Sequence, residues 1–210
     1  MDLDKKFWDD IYLSSETKWD VGSVTSPIKD YIDQINDKTI NILIPGCGFG
    51  HEAEYFFKKG FKNTYVADIS DIPLKNLHKR CPEIPKDHLL NIDFFKINRT
   101  FDLIIEQTFF CALDPSLRPV YAEKMHSLLK EDGKLVGLLF DDKFNHEGPP
   151  FGGTKDEYIS YFRPWFGIKY FDKAYNSIPP RAGRELFICL IKKRVHSRQS
   201  TVNSGRLVVD

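Results

Sequence analysis

A short apolar run at residues 42–44 leads into three alternate glycines, Gly46, Gly48 and Gly50, and the next apolar run ends at Asp68. Glycines directly after a strand let backbone amides approach a ligand closely, and an acid at the tip of the next strand can accept both ribose hydroxyls of a nucleoside. The pattern restricts this region to strand, turn and helix in succession, and it predicts a nucleoside cofactor site. A glycine turn without a ligand is the alternative, and Asp68 disfavours it.

The spacing of the glycines discriminates between nucleoside cofactors. The dinucleotide fingerprint G-x-G-x-x-G requires a glycine where His51 stands, and no Lys-Ser/Thr pair follows to form a phosphate-binding loop. The observed G-x-G-x-G favours a cofactor without phosphates, and the commonest of these is S-adenosyl-L-methionine. An NAD-dependent oxidoreductase and a noncatalytic module that binds S-adenosylmethionine remain as alternatives.

The composition is that of one well-filled domain with balanced charge. The chain has 210 residues, of which 41% are hydrophobic, and its 30 basic residues equal its 30 acidic ones. No overall positive field therefore indicates nucleic acid or an anionic membrane as a partner. The first residues lack the apolar core of a signal peptide, so we predict a cytoplasmic protein. The oligomeric state is open, with a monomer slightly favoured.

The four cysteines, Cys47, Cys81, Cys111 and Cys189, are scattered along the chain. They form no C-x-x-C pair, and no histidine stands at metal-ligand spacing, so we predict neither a metal site nor a disulfide framework. Free cysteine is usually buried and inert, which favours Cys111 as a small core residue over Cys111 as a nucleophile.

Predicted helices and strands alternate along most of the chain. Strands are predicted at 40–44, 64–67, 88–92, 101–106 and 134–140, with helices starting at Pro27 and spanning 50–59, 71–80 and about 117–129. This alternation indicates an α/β protein with a doubly wound, mainly parallel sheet. A turn at Asp132-Gly133 is expected to lead into the strand at 134–140.

The C-terminal third departs from this alternation. A capping box from Thr154 to Glu157 predicts a helix, and strands at 166–175 and 185–191 are close enough in sequence to pair antiparallel. An antiparallel strand at the sheet edge is typical of methyltransferases rather than of dehydrogenases. We predict one domain over residues 1–193, with an N-terminal lid at about 1–26, and a disordered tail over 194–210.

Seven motifs occur along the chain in the order typical of one known family. They are Trp8 with Trp19-Asp20-Val21-Gly22, then the residues at 45–52, 68–70, 93–95, 108–115, 148–151 and 180–185. Together they resemble the thiopurine methyltransferase superfamily of class I S-adenosylmethionine-dependent methyltransferases, nearest to its plant halide and thiol methyltransferase branch. The resemblance implies a seven-stranded Rossmann-like sheet and a small thiol, thiopurine or halide as the methyl acceptor.

The resemblance also implies which residues contact the cofactor. Gly46 is expected beside the methionine moiety, and Asp68 is expected to hold the ribose diol. Asp93 and Phe94 are expected at the adenine, with Asp93 accepting a hydrogen bond from its amino group. Gln107 stands where related sequences often have an aromatic residue that contacts the cofactor.

Three further aromatic residues, Trp8, Tyr12 and Trp19, are expected on an N-terminal segment that folds over the cofactor. A sulfonium is a cation, and aromatic faces attract cations by about 0.5 to 2 kcal/mol once water is excluded. Without the resemblance, Trp8 and Trp19 would be read as core aromatics that anchor a terminal helix. Trp19 is, however, followed by a turn sequence rather than by more helix.

The acceptor site is expected near Arg118, Phe151, Arg181 and Arg184. A guanidinium can stabilise a thiolate or another anionic acceptor. For Arg118 the alternative is a solvated helix charge, and for Arg184 it is an ion pair with Glu185. No catalytic residue is predicted, because in-line methyl transfer to a soft nucleophile needs alignment and a dry pocket rather than a base.

Overall fold

A computed structural model describes residues 3–194 as a seven-stranded sheet covered by helices on both faces. The strands are β1 (Ile42–Pro45), β2 (Thr64–Asp68), β3 (Leu89–Asn91), β4 (Phe101–Gln107), β5 (Leu129–Phe140), β6 (Phe166–Lys173) and β7 (Glu185–Lys192). The helices are α1 (Lys5–Ser14), α2 (Ser26–Asp33), α3 (His51–Lys58), α4 (Asp71–Arg80), α5 (Arg118–Ser127) and α6 (Lys155–Phe162).

The sheet has the strand order β3-β2-β1-β4-β5-β7-β6. Strands β1 to β5 are mutually parallel, and β7 is antiparallel to both of its neighbours, β5 and the edge strand β6. The predicted doubly wound, mainly parallel sheet with an antiparallel strand at one side is therefore confirmed. The strand order reverses between β1 and β4, and ligands bind at this switch point in open α/β sheets.

Helices on both faces explain why the central strands are apolar without alternation. On one face, Ile104 packs with Tyr121 of α5 and Phe162 of α6. On the other face, Ile44 packs with Phe56 of α3. All residues of β1 and β2 are buried. The loops that follow these strands are consequently held on a rigid support.

Two predicted helix starts are confirmed by their caps. The Ser70 hydroxyl accepts the N–H of Ile72 at 3.2 Å, and α4 begins at the next residue and ends at Arg80. The Thr154 hydroxyl accepts the N–H of Glu157 at 3.3 Å, and α6 follows. Each cap satisfies an N–H that has no partner within its own helix.

The predicted start of the fifth strand is wrong. Strand β5 begins at Leu129, which pairs with Phe101, and the register then shifts so that Leu103 pairs with Lys134. Asp132 adopts a φ of 59° inside this irregularity. The expected turn at Asp132-Gly133 is thus a bulge within a longer strand, because the pairing with β4 continues on both sides of it.

Residues 195–210, which make up nearly all of the predicted tail, lie outside the described residues, and the single domain over 1–193 stays a prediction. Within residues 3–194, no helix combines the length and the apolar character that crossing a bilayer requires.

Candidate active site

The glycine loop (residues 46–50) follows β1 and leads into α3. Gly46 and Gly48 have φ values of 57° and 51°, a conformation that favours glycine. A Cβ at Gly46 would lie 2.2 Å from Cδ2 of Phe109, and a Cβ at Gly48 would lie 3.4 Å from Nε1 of Trp19. The loop is therefore enclosed by two aromatic rings, and Gly46 is required by the close approach of Phe109.

Asp68 lies at the carboxyl end of β2, next to the glycine loop. It is buried and accepts the N–H of Ser70 at 2.9 Å. Burial raises the pKa of Asp68 to about 6, and the amides of Ser70, Gly48 and Ile69 limit the shift. The carboxylate can therefore change its charge near neutral pH, which an exposed aspartate does not do.

The first helix is attached beside this carboxylate. The Ser70 hydroxyl donates to Oδ1 of Asp9 at 2.5 Å, and Lys5 pairs with the same aspartate. Burial and the Asp68 carboxylate raise the pKa of the Tyr12 phenol. Tyr12 of α1 thus lies beside Asp68, and its place in a lid over the cofactor stays a prediction.

Three aromatic residues of the N-terminal segment (residues 3–26) form a cluster above the glycine loop. The ring of Trp19 lies 6.0 Å from that of Trp8 and 5.7 Å from that of Tyr12, and Tyr12 lies 6.2 Å from Phe49 of the loop. Because α1 ends at Ser14, Trp8 and Trp19 do not share a helix. The three rings are half-buried and cover the loop rather than filling the core.

Two hydrogen bonds anchor this segment at consecutive residues. Arg181 donates to the carbonyl oxygen of Trp19 at 2.7 Å, and Nε2 of His51 lies 2.7 Å from Oδ1 of Asp20. The partner of His51 is 31 positions away in the chain, so no local sequence pattern indicates this contact. We call these two contacts the segment anchors.

A cavity lies between the N-terminal segment and the glycine loop. Its lining includes Trp19, Gly46, Gln107 and Arg181 together with the buried Glu52, which the sequence interpretation did not single out. The Thr25 hydroxyl lies 3.1 Å from Oε1 of Gln107. Burial raises the pKa of Glu52. Four of the predicted site residues thus meet at one cavity.

Asp93 and Phe94 follow β3 at the neighbouring position along the sheet. Asp93 accepts the N–H of Phe95 at 3.0 Å and remains partly exposed. The ring of Phe94 is buried, with its centroid 5.2 Å from that of Phe109 and 5.6 Å from that of Tyr121. Phe94 therefore packs against the ring of Phe109. The contact of Phe94 with adenine stays a prediction.

Arg118 is neither solvated nor part of the cavity lining. It is 1% exposed, and its guanidinium donates to the carbonyl oxygens of Gly152 at 2.8 Å and Phe151 at 3.3 Å. It also pairs with Glu157 at 2.8 Å. The alternative of a solvated helix charge is wrong, because Arg118 holds the loop at residues 141–153, which we call the acceptor loop.

Arg184 lies on the exposed side of the acceptor loop. Its Nε is 2.5 Å from Oδ2 of Asp142, and its guanidinium lies 5.4 Å from the ring centroid of Phe144. The expected alternative of a pair with Glu185 is wrong, because Glu185 lies 3.4 Å from Arg181 instead. Arg181 and Arg184 therefore face different surroundings although they are close in sequence.

The cysteines have surroundings typical of core residues. All four are free and buried, and burial raises the pKa of Cys111 to about 12. Within residues 3–194, no group of three or more His, Cys, Asp or Glu side chains is arranged to hold a metal ion.

A comparison with protein families identifies the chain. The model of the thiopurine S-methyltransferase family matches residues 3–198. The chain belongs to this family. It is similar to probable thiol methyltransferase 2 of Arabidopsis thaliana, with 30% identity over 185 residues that cover 85% of this chain and 81% of that protein. It is also similar to thiocyanate methyltransferase 1 of Brassica oleracea, with 30% identity over 187 residues and the same coverage of 85% and 81%.

Solved structures share the fold at lower identity. The chain superposes on 1,6-didemethyltoxoflavin-N1-methyltransferase of Burkholderia thailandensis with a TM-score of 0.72 at 17% identity, covering 90% of this chain and 87% of that one. A TehB-like S-adenosylmethionine-dependent methyltransferase of Corynebacterium glutamicum gives a TM-score of 0.61 at 18% identity, covering 90% and 95%. The family match and the shared fold confirm that this family member is an S-adenosylmethionine-dependent methyltransferase.

Proposed function

We propose that this family member transfers the methyl group of S-adenosylmethionine to a small soft nucleophile: a thiol, a thiopurine, hydrosulfide, thiocyanate or a halide. The observation that carries the proposal is the aromatic side of the cavity above the glycine loop, which is lined by Trp19 and Phe49, with Tyr12 packed against both rings. Soft nucleophiles need a dry, aligned pocket, and aromatic rings supply one. The names of the two plant relatives, a thiol and a thiocyanate methyltransferase, support this acceptor class.

The residues at the cavity and at the carboxyl ends of the neighbouring strands fit the proposed cofactor. Asp68, buried beside the loop, is the proposed acceptor for the ribose hydroxyls, and Gly46 and Gln107 border the proposed methionine position. Asp93 and Phe94 are proposed at the adenine. When bound, S-adenosylmethionine supplies an electrophilic methyl group on a cationic sulfur. Trp8, Tyr12 and Trp19 would hold that charge against their ring faces and exclude water.

Methyl transfer to this acceptor class requires no base among the cavity residues. At neutral pH a few per cent of a free thiol is already thiolate, and halides and thiocyanate carry no proton to remove. Burial raises the pKa of Glu52, and we propose no contact between Glu52 and the methyl acceptor. The proposed contributions of the chain are orientation, water exclusion and a fixed positive charge from Arg181 at the cavity.

The acceptor loop does not line this cavity, and we propose that it borders the methyl acceptor. Phe151 is the proposed ring against the acceptor, and Arg118 acts through the carbonyl oxygens that it holds rather than by touching the acceptor. Arg184 would fix the loop through Asp142. The proposed role of Arg118 is therefore different from a direct anion contact.

Balanced charge supports a small-molecule acceptor rather than nucleic acid, because neutralising several phosphates needs clustered basic side chains. A cytoplasmic location and a monomeric state remain predictions from the sequence.

The test is a panel of thiols, thiopurines, halides, thiocyanate, catechols, amines and RNA incubated with labelled S-adenosylmethionine. We expect label in the sulfur and halide products, with thiol rates that rise with pH toward the thiol pKa and then level off. Methylation of RNA or amines alone, with every sulfur and halide acceptor inert, would overturn the proposed function.

A further inference from the structure

Glu106 is a buried carboxylate that the proposed methyl transfer does not use. It is 0% exposed and lies in β4, one residue before Gln107. Its Oε1 accepts the N–H groups of Phe109 at 2.8 Å and Phe110 at 2.9 Å, and the Tyr121 hydroxyl donates to Oε2. Burying a carboxylate is costly unless its oxygens are bonded, and here both oxygens have donors.

These bonds fix a strained turn directly after β4. Thr108 has a φ of 60°, in the left-handed region that a β-branched residue rarely adopts. Such a conformation persists only where the surrounding structure enforces it, and strained residues cluster at functional sites. The two amides that Glu106 accepts belong to the residues immediately after Thr108. Glu106 therefore holds the turn at residues 108–111, which we call the β4 turn.

One side of the β4 turn faces the proposed cofactor site. Phe109 packs so closely on Gly46 that a Cβ there would lie 2.2 Å from the ring. The same ring contacts Phe94, with centroids 5.2 Å apart. Both Gly46 and Phe94 are proposed cofactor contacts, so the position of the Phe109 ring determines the surface on which the cofactor would lie.

The other side of the β4 turn contacts the acceptor loop. The carbonyl oxygen of Cys111 accepts the N–H of Phe151 at 2.6 Å. The ring of Phe110 lies 5.1 Å from the guanidinium of Arg118, which holds the carbonyl oxygens of Phe151 and Gly152. A displacement of the β4 turn would therefore move the acceptor loop as well as the Phe109 ring.

We propose that Glu106, with Tyr121 as its partner, is a positioning residue for methyl transfer. It fixes the β4 turn and thereby sets the proposed cofactor surface and the acceptor loop relative to each other. This inference rests on the proposed function, because the acceptor loop borders the methyl acceptor only if that function is correct. In-line displacement depends steeply on alignment, so the loss of Glu106 lowers turnover beyond the effect of any loss of stability.

The test compares Glu106→Ala, Glu106→Gln and Tyr121→Phe with the matched core variant Met125→Ala. Met125 is fully buried on the same helix as Tyr121, four residues further along. The amide of glutamine can accept both N–H groups and donate to the Tyr121 oxygen, so Glu106→Gln should restore the alignment that Glu106→Ala loses. Each variant is assayed well below its own melting temperature for kcat with hydrosulfide or iodide, and for S-adenosylhomocysteine affinity by calorimetry.

We expect Glu106→Ala to lower kcat by about 100-fold, the effect of a displacement near 1 Å, and to weaken S-adenosylhomocysteine binding. Glu106→Gln should recover most of both, and Met125→Ala should lose thermal stability with its kinetic constants kept. Tyr121→Phe removes only the hydroxyl that donates to Glu106, and it should lower kcat several-fold. This variant keeps the proposal testable where Glu106→Ala does not fold.

Two results would overturn the positioning role. One is wild-type kcat and cofactor affinity in Glu106→Ala or, where that variant does not fold, in Tyr121→Phe. The other is a Met125→Ala variant that loses as much kcat as Glu106→Ala does when the two variants are equally destabilised.

The binding measurement needs no acceptor. A wild-type protein that binds S-adenosylhomocysteine and methylates no soft nucleophile would instead contradict the proposed function, with the Glu106 variants still testable by affinity.

Discussion

Asp68 combines burial with a position at the tip of β2, and this combination determines its charge. Burial raises its pKa to about 6, above the value of about 4 for an exposed aspartate. At the proposed site, ribose hydroxyls would donate to the ionised form, so a bound nucleoside would favour the carboxylate and lower this pKa. Below about pH 6, a proton on Asp68 would therefore compete with the nucleoside.

The affinity for S-adenosylhomocysteine should consequently rise from pH 5 to pH 7 and then level off. Asp68→Asn should remove most of this rise, and Asp68→Ala should weaken binding at least tenfold, because hydrogen bonds to a charged group contribute about 1.5 to 3 kcal/mol each. Calorimetry across this pH range measures both effects. Unchanged affinity in Asp68→Ala, with a large loss of ligand-free stability, would indicate a structural cap.

The N-terminal segment is attached to the rest of the fold by several side-chain contacts, which include the segment anchors. The segment anchors hold two consecutive residues, Trp19 and Asp20, through Arg181 and His51. Arg181 and His51 both line the cavity, but Arg181 also pairs with Glu185, so His51 provides the simpler test of one anchor. Because both partners of the His51–Asp20 contact are partly exposed, its contribution is modest.

His51→Ala and Asp20→Ala should each weaken S-adenosylhomocysteine binding by about threefold to tenfold, the equivalent of one ordinary hydrogen bond. The double variant should be no weaker than either single one, since both remove the same contact. Dissociation rates from stopped-flow fluorescence of Trp19 would measure the effect. Additive losses in the double variant would show that the two side chains act separately.

At the element scale, the sequence predicts what is local and misses what is distant. The predicted bounds of α4, 71–80, agree with the observed ones, and the Ser70 cap at its start is local in sequence. The start of β5 was missed because it depends on pairing with Phe101, 28 positions earlier. Likewise, only the folded chain brings the buried Arg118 to the acceptor loop, and neither its burial nor its carbonyl partners leave a sequence pattern.

For the whole molecule, cofactor identity should be visible as a change in stability. A ligand that binds only the folded state at 100 times its dissociation constant stabilises it by about 2.7 kcal/mol. For a chain of about 200 residues, each kcal/mol raises the melting temperature by about 2 to 4 °C. S-adenosylhomocysteine should produce this shift and NAD should produce none. A shift with NAD alone would contradict the cofactor assignment made for the site.

The antiparallel direction of β7 has a practical consequence for attaching this protein to a surface. Strand β7 begins beside Phe140, at the carboxyl end of β5, and runs back to pair Ile191 with Lys134. Arg181 therefore precedes the strand at the edge that carries the cavity, whereas Lys192 lies at the opposite edge. An immobilisation tag joined after Lys192 leaves the sheet on the side away from the cavity, so a tethered enzyme should present its open face to the solution.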